Sequence, residues 1–218
     1  MLFPGGAGNY REIGSYIYDS IVDYNDEGTW YPLWGTCLGY ENMARFASDS
    51  GNPLSDQVSI NNSLSLDFLV DPATTTMFRD LDDASPFSED AMTFNHHNYG
   101  LSVDIFSQDK GLGDVFYPTA TSTDPDSGNT FVATMESAKY PFFGIQFHAE
   151  KVLSMYNSSG LNHSWESLRY NRYLADRFIE ETRINTNTCG TFTECQELLI
   201  DNYPVTVTTG YYGNVYAF

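Results

Sequence analysis

The sequence predicts an α/β fold with a mostly parallel central sheet, because short apolar segments alternate with segments of helical spacing. Tyr31 to Trp34 is an apolar segment typical of a buried strand, and the helical pattern of Leu38 to Ala47 follows at once. Phe142 to Phe147 is a second buried strand, and Trp165 to Ile184 is the longest predicted helix. Such alternation is typical of sheets with parallel neighbours.

The remaining elements follow from local patterns. Met1 to Phe3 ends a strand, before the loop from Pro4 to Gly8. The next helix carries apolar residues at a spacing of three and four, which is a helical period: Tyr10, Ile13, Ile17, Ile21 and Tyr24. Further strands are predicted at Ser63 to Val70, at Asp114 to Ser122 and Thr130 to Glu136 around the turn Asp124 to Gly128, and at Val205 to Tyr216 with Gly210 and Gly213 as turns.

Cys37 is the first candidate catalytic residue. It lies at the junction of a strand and a helix, in Gly-Thr-Cys-Leu-Gly, which is typical of a nucleophile elbow. Gly35 and Gly39 allow the backbone to pass close to the thiol on both sides. We expect the amides at the start of the helix to favour the thiolate. The alternative is a buried structural cysteine.

His148 is the second candidate. It ends the strand Phe142 to Phe147, where open α/β sheets bind ligands, and Glu150 follows two residues later. Glu150 can accept a hydrogen bond from the imidazole and fix its tautomer. Cys37, His148 and Glu150 therefore form a complete set of nucleophile, base and orienting group.

These motifs resemble the γ-glutamyl hydrolase (folylpoly-γ-glutamate hydrolase) family, within the class I glutamine amidotransferase-like superfamily. The segments that carry the resemblance are Leu2 to Gly6, Pro32 to Glu41, His97 to Ser102 and Met135 to Lys151. The resemblance implies a flavodoxin-like three-layer sandwich, with residues 1–218 as one domain. It also implies a cysteine hydrolase that cleaves γ-glutamyl bonds of folyl- and related poly-γ-glutamates through a γ-glutamyl thioester.

Two departures from the family pattern stand out. The family usually has proline where this chain has Ala149, which removes a fixed φ between the base and its orienting group. Family members also carry a signal peptide and further residues before the Phe-Pro-Gly-Gly segment, which supply the first strands of the sheet. We therefore expect a domain truncated at its N-terminus, whether through an incomplete gene model, a domain cut or a shortened protein.

The resemblance assigns further residues to the site. The backbone amide of Gly6, or of Gly5 beside it, and that of Leu38 would hold the oxyanion, as acyl transfer requires. His97 would contact the substrate, with Asn95 nearby, and Glu41 would bind the α-amino group of a terminal glutamate. Alternatives are an ordinary turn for the glycines and a solvated helix position for Glu41.

Metal binding by the adjacent histidines His96 and His97 is disfavoured. Neighbouring residues on a strand point to opposite faces, and the sequence offers no third clear ligand. We expect no metal and no cofactor.

The composition is strongly acidic, with a formal net charge of −19. This charge disfavours nucleic acid and anionic membranes as partners, and no apolar segment approaches the length of a transmembrane helix. It also repels a polyanionic substrate, so we expect an acidic working pH, a cluster of cations at the cleft, or both. The candidate cations are Arg79, Lys110, Lys139 and Lys151.

The other two cysteines and the glycosylation motifs bear on the compartment. Cys189 and Cys195 could close a small disulfide loop in an oxidising compartment or remain free thiols. Asparagine acceptor motifs begin at Asn61, Asn157 and Asn162, and each is weak evidence of a secretory route. With the resemblance, they predict a lysosomal, vacuolar or secreted glycoprotein, although this chain contains no signal peptide. The family is often dimeric, so a homodimer is expected.

Three alternatives remain open at this stage. One is a glutaminase that passes ammonia to a synthase, and another is a different γ-glutamyl peptidase of the same fold. The third is an inactive truncated homologue.

Overall fold

The structure is a computed structural model that describes residues 1–207 and 214–216. The chain separates into two compact units, Met1–Asn185 and Thr186–Phe218. Each unit is described by itself below, and the single domain over residues 1–218 stays a prediction. Within the described residues, no helix combines the length and the apolar character needed to cross a membrane.

The first unit contains eight described strands, seven described α-helices and a short 3-10 helix at Pro72–Thr74. The strands are β1 (Leu2–Phe3), β2 (Leu33–Thr36), β3 (Ser55–Leu64), β4 (Asp67–Phe68), β5 (Thr93–Gly100), β6 (Phe116–Thr123), β7 (Thr130–Ser137) and β8 (Phe142–Ile145). The helices are α1 (Arg11–Asp26), α2 (Leu38–Ala47), α3 (Pro86–Glu89), α4 (Ile105–Gln108), α5 (Lys110–Val115), α6 (Ala149–Ser154) and α7 (Trp165–Thr182).

The central sheet confirms the predicted α/β class. Its six strands lie in the order β1-β2-β8-β7-β6-β4. The pairings from β1 through β2 to β8 are parallel, and those of β7, β6 and β4 are antiparallel. Four of the six strands therefore run in one direction, namely β1, β2, β8 and β6, and the other two, β7 and β4, run in the opposite direction. The parallel part brings the carboxyl ends of β1, β2 and β8 to one edge.

Helices cover both faces of this sheet, as a three-layer sandwich requires. Successive strand residues point to opposite faces, so Leu33 and Phe142 pack on one side and Trp34 and Phe143 on the other. Helices α1 and α2 pack on the face that carries Leu33 and Phe142, and α7 packs on the face that carries Trp34 and Phe143. Both faces of β2 and β8 are therefore buried, which explains why their sequences are continuously apolar.

The apolar face predicted for α1 is wrong in part. Ile21 is buried as expected, whereas Ile13 is exposed and Gly14 and Tyr18 face the core. A Cβ at position 14 would lie 3.1 Å from Cζ of Phe46. The missing side chain thus lets α1 approach α2 closely, which turns the helix away from the face that its larger apolar residues predict.

The predicted hairpin of β6 and β7 is confirmed. The two strands pair antiparallel, and the carboxylate of Asp124 accepts hydrogen bonds from the amides of Asp126 and Ser127 in the turn. Strand β3 is longer than predicted and pairs with β5 in a separate two-stranded sheet. The predicted strand Ser63 to Val70 is therefore divided between the end of β3 and the short β4.

The described part of the second unit contains α8 (Phe192–Glu197), β9 (Val205–Val207) and β10 (Asn214–Tyr216). Strands β9 and β10 lie within the predicted segment Val205 to Tyr216 and pair antiparallel, while the predicted turns at Gly210 and Gly213 lie outside the described residues. Thr191 and Glu194 form a capping box at the start of α8. A disulfide joins Cys189 and Cys195, so of the two alternatives the disulfide loop is the one present.

Candidate active site

Cys37 lies on the turn between β2 and α2, as the elbow pattern predicts. Its φ is 49° and its ψ is −109°, and it is one of two described non-glycine residues with a positive φ. Its amide donates to the carbonyl of Ile145 in β8 at 2.8 Å, which holds the strained residue in place. Helix α2 begins at the next residue, Leu38.

The glycines on either side of Cys37 are required by close backbone contacts. A Cβ on Gly35 would lie 2.7 Å from the amide nitrogen of Tyr40, and one on Gly39 would lie 2.0 Å from the carbonyl oxygen of Phe3. Since real Cβ atoms do not approach so closely, any side chain at either position would displace the elbow. The prediction that these glycines permit a tight strand–helix junction is confirmed.

His148 and Glu150 occupy the junction between β8 and α6. The amide of His148 donates to the carbonyl of Phe94 in β5 at 2.8 Å, which fixes the start of α6. Nδ1 of the imidazole lies 2.6 Å from Oε1 of Glu150. The His148 side chain is 5% exposed and that of Glu150 is 57% exposed, so the base is buried and its partner reaches solvent. This contact occupies Nδ1 and leaves Nε2 as the ring nitrogen that can exchange a proton with a substrate or a nucleophile.

Gly5 lies close to both Cys37 and His148. A Cβ on Gly5 would lie 2.7 Å from Cε1 of His148 and 3.3 Å from Cβ of Cys37. The Cε1 atom of His148 and the Cβ atom of Cys37 therefore cannot be farther apart than the sum of these two distances. The phenol of Tyr10 donates to the carbonyl of Pro4 at 3.0 Å and holds this loop. Among the hydrogen bonds of the described residues, none joins the thiol to His148, as is common before substrate binds.

The effect of the helix start on the Cys37 thiol is present, but burial outweighs it. Burial, followed by the negative charge of Glu41, raises the pKa of this thiol to about 12. The backbone amide of Leu38 and the charge of Lys151 lower the pKa, as the helix start predicts, but they do not offset burial. This raised pKa favours the neutral thiol of Cys37 over the thiolate.

The backbone amides of Leu38 and Gly6 are the candidate donors to an oxyanion. Leu38 is the first residue of α2, where amides lack a partner within the helix. Gly6 has a φ of 142°, and a Cβ there would meet no atom within 4 Å, so its backbone borders open space. The positive φ at Gly6 favours glycine. An ordinary turn could share this geometry, and the oxyanion role of Gly5, Gly6 and Leu38 remains a prediction.

Glu41 is buried rather than solvated. Its carboxylate is 3.7 Å from Nη1 of Arg45 and accepts from Nε2 of Gln146 at 3.4 Å. Burial raises the pKa of Glu41, and the nearby Arg45 opposes this effect. The carboxylate is thus held in a polar cluster one turn below Cys37, and binding of a substrate amino group by Glu41 stays a prediction.

The side chains of Asn95 and His97, both in β5, are buried and contact each other. Asn95 Oδ1 is 3.3 Å from Nε2 of His97, and its amide group donates to the carbonyl of Thr93 at 2.7 Å. The His97 ring packs edge-on against Phe131, with centroids 4.6 Å apart, and burial lowers the pKa of His97 to about 4. His97 is therefore neutral near pH 7. Its neighbour His96 points to the opposite, exposed face, as predicted.

The predicted cluster of four cations is wrong, since only Lys151 lies near the site. The other three are held in acid pairs elsewhere: Arg79 with Glu181, Lys110 with Asp114 and Lys139 with Asp26. The sequence signals only the pair of Lys110 with Asp114, which lie four residues apart on α5. The partners of Arg79 and Lys139 are distant in sequence, so their pairing could not be predicted. His96 was also missed as a site neighbour, although its exposed position on β5 follows from strand alternation.

Comparisons with known proteins identify the family of this chain. No model of a protein family matches the chain. The γ-glutamyl hydrolase of Bos taurus is 32% identical over the whole chain, which covers 69% of that protein. The chain belongs to the γ-glutamyl hydrolase family. Gamma-glutamyl hydrolase B of Dictyostelium discoideum is 30% identical over 95% of the chain, and the human γ-glutamyl hydrolase is 29% identical over all of it.

The chain spans 62% of the length of the Dictyostelium family member and 69% of the human one. Among solved structures, a glutamine amidotransferase from Thermotoga maritima is 13% identical, with a TM-score of 0.40, over 84% of this chain and 66% of that one. At this TM-score the likeness carries no weight, and the assignment of the fold rests on strand order and layers.

Ala149 shows how this γ-glutamyl hydrolase family member tolerates its departure from the family pattern. It is the first residue of α6. The amide at this position has no partner within a helix, so proline and alanine both fit there. His148 itself has φ −109° and ψ 82°, outside the helical region, which is also compatible with a following proline.

Proposed function

We propose that this chain is a cysteine hydrolase that cleaves γ-glutamyl bonds of folyl- and related poly-γ-glutamates. The observation that supports it most is the position of Gly5, which packs against both the imidazole of His148 and the Cβ of Cys37. The contact of His148 Nδ1 with Glu150 adds the orienting group. Membership of the γ-glutamyl hydrolase family supports the γ-glutamyl bond as the target.

The first half of the reaction forms a thioester. His148 Nε2 accepts the proton of the Cys37 thiol while the sulfur attacks the γ-carbonyl carbon. Transfer of this proton during the attack is required because burial keeps the resting thiol neutral. The amides of Leu38 and Gly6 donate to the oxyanion, and each such donor contributes on the order of 100-fold to the rate. The C–N bond then breaks as the imidazolium protonates the leaving amine.

The second half releases the product. His148, neutral again, removes a proton from a water molecule, which attacks the thioester carbonyl. The C–S bond breaks, the proton returns to sulfur, and a γ-carboxylic acid leaves. Glu150 keeps the imidazole in one tautomer through both steps and stabilises its charged form.

Replacement of the nucleophile tests this proposal. Cys37→Ala should abolish measurable release of glutamate from a folate poly-γ-glutamate, with an unchanged circular dichroism spectrum. Wild-type turnover by Cys37→Ala would contradict the proposal. A substrate panel separates the alternatives: hydrolysis of glutamine in preference to γ-glutamyl peptides would indicate a glutaminase, and preference for glutathione-like compounds a different peptidase. Absence of all activity in the wild-type chain would indicate an inactive homologue.

We further propose a lysosomal, vacuolar or secreted location. The Cys189–Cys195 disulfide supports an oxidising compartment, because cytosolic thiols are kept reduced. Of the three glycosylation motifs, Asn157 has the most exposed asparagine, while Asn61 and Asn162 are half-buried. An acidic compartment would also reduce the repulsion between this chain and a polyanionic substrate. Detection of N-glycans on the protein secreted by cultured cells would test the route.

The predicted homodimer remains part of the proposal. It rests on the resemblance to the family alone. Light scattering coupled to size-exclusion chromatography would distinguish a dimer from a monomer of 24.5 kDa.

A further inference from the structure

A small surface beside His148 is formed by one face of β5 and the first turn of α6. Phe94 ties these elements together, because its carbonyl accepts the His148 amide and its ring lies under Nζ of Lys151, 5.7 Å from the ring centroid. His96, two residues after Phe94, points to the same face of the strand and is exposed. Lys151 and His96 therefore border the same approach to the base.

The charge of this surface is unusual for so acidic a chain. Lys151 follows Glu150, whose carboxylate contacts His148, and no carboxylate in the described part of the chain lies within ion-pair distance of its ammonium. The electrostatic reach of Lys151 includes the reacting centre, since its charge lowers the pKa of Cys37. Burial, followed by the charges of Lys151 and His148, lowers the pKa of His96 and so favours its neutral form.

We propose that Lys151, with His96 beside it, binds an α-carboxylate of the glutamyl chain next to the scissile amide. This inference rests on the proposed function and names the groups that recognise its substrate. In a γ-linked chain each residue keeps a free α-carboxylate, whereas the γ-carboxylate of every residue except the last is consumed in an amide. An ammonium supplies three donors and a neutral imidazole one, which matches the acceptor sites of one carboxylate.

Recognition at this position would offset part of the repulsion from the net charge. A cation at the cleft raises the local concentration of anionic substrate even where the whole protein is negative. The competing explanation is that Lys151 only packs on Phe94 and stabilises the thiolate, in which case every substrate would be affected alike.

Three substrates separate these explanations. The first is γ-glutamyl-glutamate, and the other two carry 4-aminobutanoate in place of either residue, which removes one α-carboxylate and keeps the amide. We expect Lys151→Met to lower kcat/KM for γ-glutamyl-glutamate on the order of 10-fold or more. For the analogue that already lacks the bound carboxylate, kcat/KM should be almost unchanged. His96→Phe should show the same pattern with a smaller effect.

Lys110→Met is the matched control, because it removes the same charge from an exposed pair with Asp114. Lys151→Arg, which keeps the charge, should retain most of the discrimination between substrates. Provided that the wild-type chain hydrolyses γ-glutamyl-glutamate, two results for Lys151→Met would overturn this inference. One is an equal fall in kcat/KM for all three substrates, and the other is no fall for any of them. Failure of the wild-type chain to hydrolyse γ-glutamyl-glutamate would contradict the proposed function instead.

Discussion

The backbone of Gly5 lies against the imidazole of His148, so closely that a Cβ at position 5 would stand 2.7 Å from Cε1 of the ring. Gly5→Ala should therefore displace the base or the loop and lower kcat on the order of 100-fold, since a misplacement of about 1 Å has that effect on catalysis. Gly8→Ala is the control, because a Cβ there meets no atom within 4 Å. Equal activity of the two variants would contradict the role of Gly5.

The raised pKa of Cys37 predicts how the thiol reacts in the free protein. Alkylation by iodoacetamide requires the thiolate, and with a pKa of about 12 the thiolate fraction rises with pH throughout the usual range. The alkylation rate should increase about tenfold per pH unit between about pH 6 and pH 9, with no plateau. A rate that is independent of pH below about pH 7 would indicate a preformed thiolate–imidazolium pair. Cys37→Ser supplies the background, because Cys37 is the free cysteine.

Glu150 is expected to act as a positioning residue. Glu150→Gln keeps a hydrogen-bond acceptor at 2.6 Å from Nδ1 but removes the charge that stabilises the imidazolium. Because the Glu150 side chain is 57% exposed, solvent screens part of this charge, and we expect kcat to fall about tenfold with KM unchanged. Glu180→Gln, which removes an exposed partner of Arg183, should leave both constants unchanged. A rise in KM with constant kcat would show that Glu150 binds substrate rather than orienting the base.

Ala149→Pro should stabilise the chain without affecting catalysis. Position 149 is the first of α6, where the fixed φ of proline suits a helix and no amide donor is lost. The smaller conformational freedom of the unfolded chain should raise the free energy of unfolding by about 0.4–1 kcal/mol, measured by urea denaturation. A lower stability, or a loss of kcat, would indicate that the backbone between His148 and Glu150 cannot accept proline.

Local sequence signals predicted the elements that carry the chemistry. Helix α2 runs from Leu38 to Ala47 as expected, since the elbow glycines and the strand before it leave one place for the helix to begin. The position of His148 after a buried strand was also predictable, although β8 ends at Ile145 rather than at Phe147 as predicted. Features that depend on packing between distant segments were not predictable from the sequence. The burial of Ile21 rather than Ile13 depends on Gly14 meeting α2, and the neutral thiol of Cys37 depends on how deeply the finished fold buries it.

The sites of the cations illustrate the same limit. Lys151 stands beside the candidate base, whereas Lys139 is held by Asp26, a residue more than a hundred positions away in the chain. Only the folded structure determines which cations remain near the cleft. The resemblance to a family predicts a site role for His97, but its contact with Phe131 and its low pKa are consequences of the packing of β5 against β7.

The central claim is that the sulfur of Cys37 becomes acylated through a proton transfer to His148. The most direct measurement is mass spectrometry of the protein quenched with acid during turnover of γ-glutamyl-glutamate. The account predicts a γ-glutamyl adduct on the peptide that contains Cys37, absent in Cys37→Ser and in His148→Ala. Steady turnover with the adduct on another residue, or an equal yield of the adduct in His148→Ala, would contradict it.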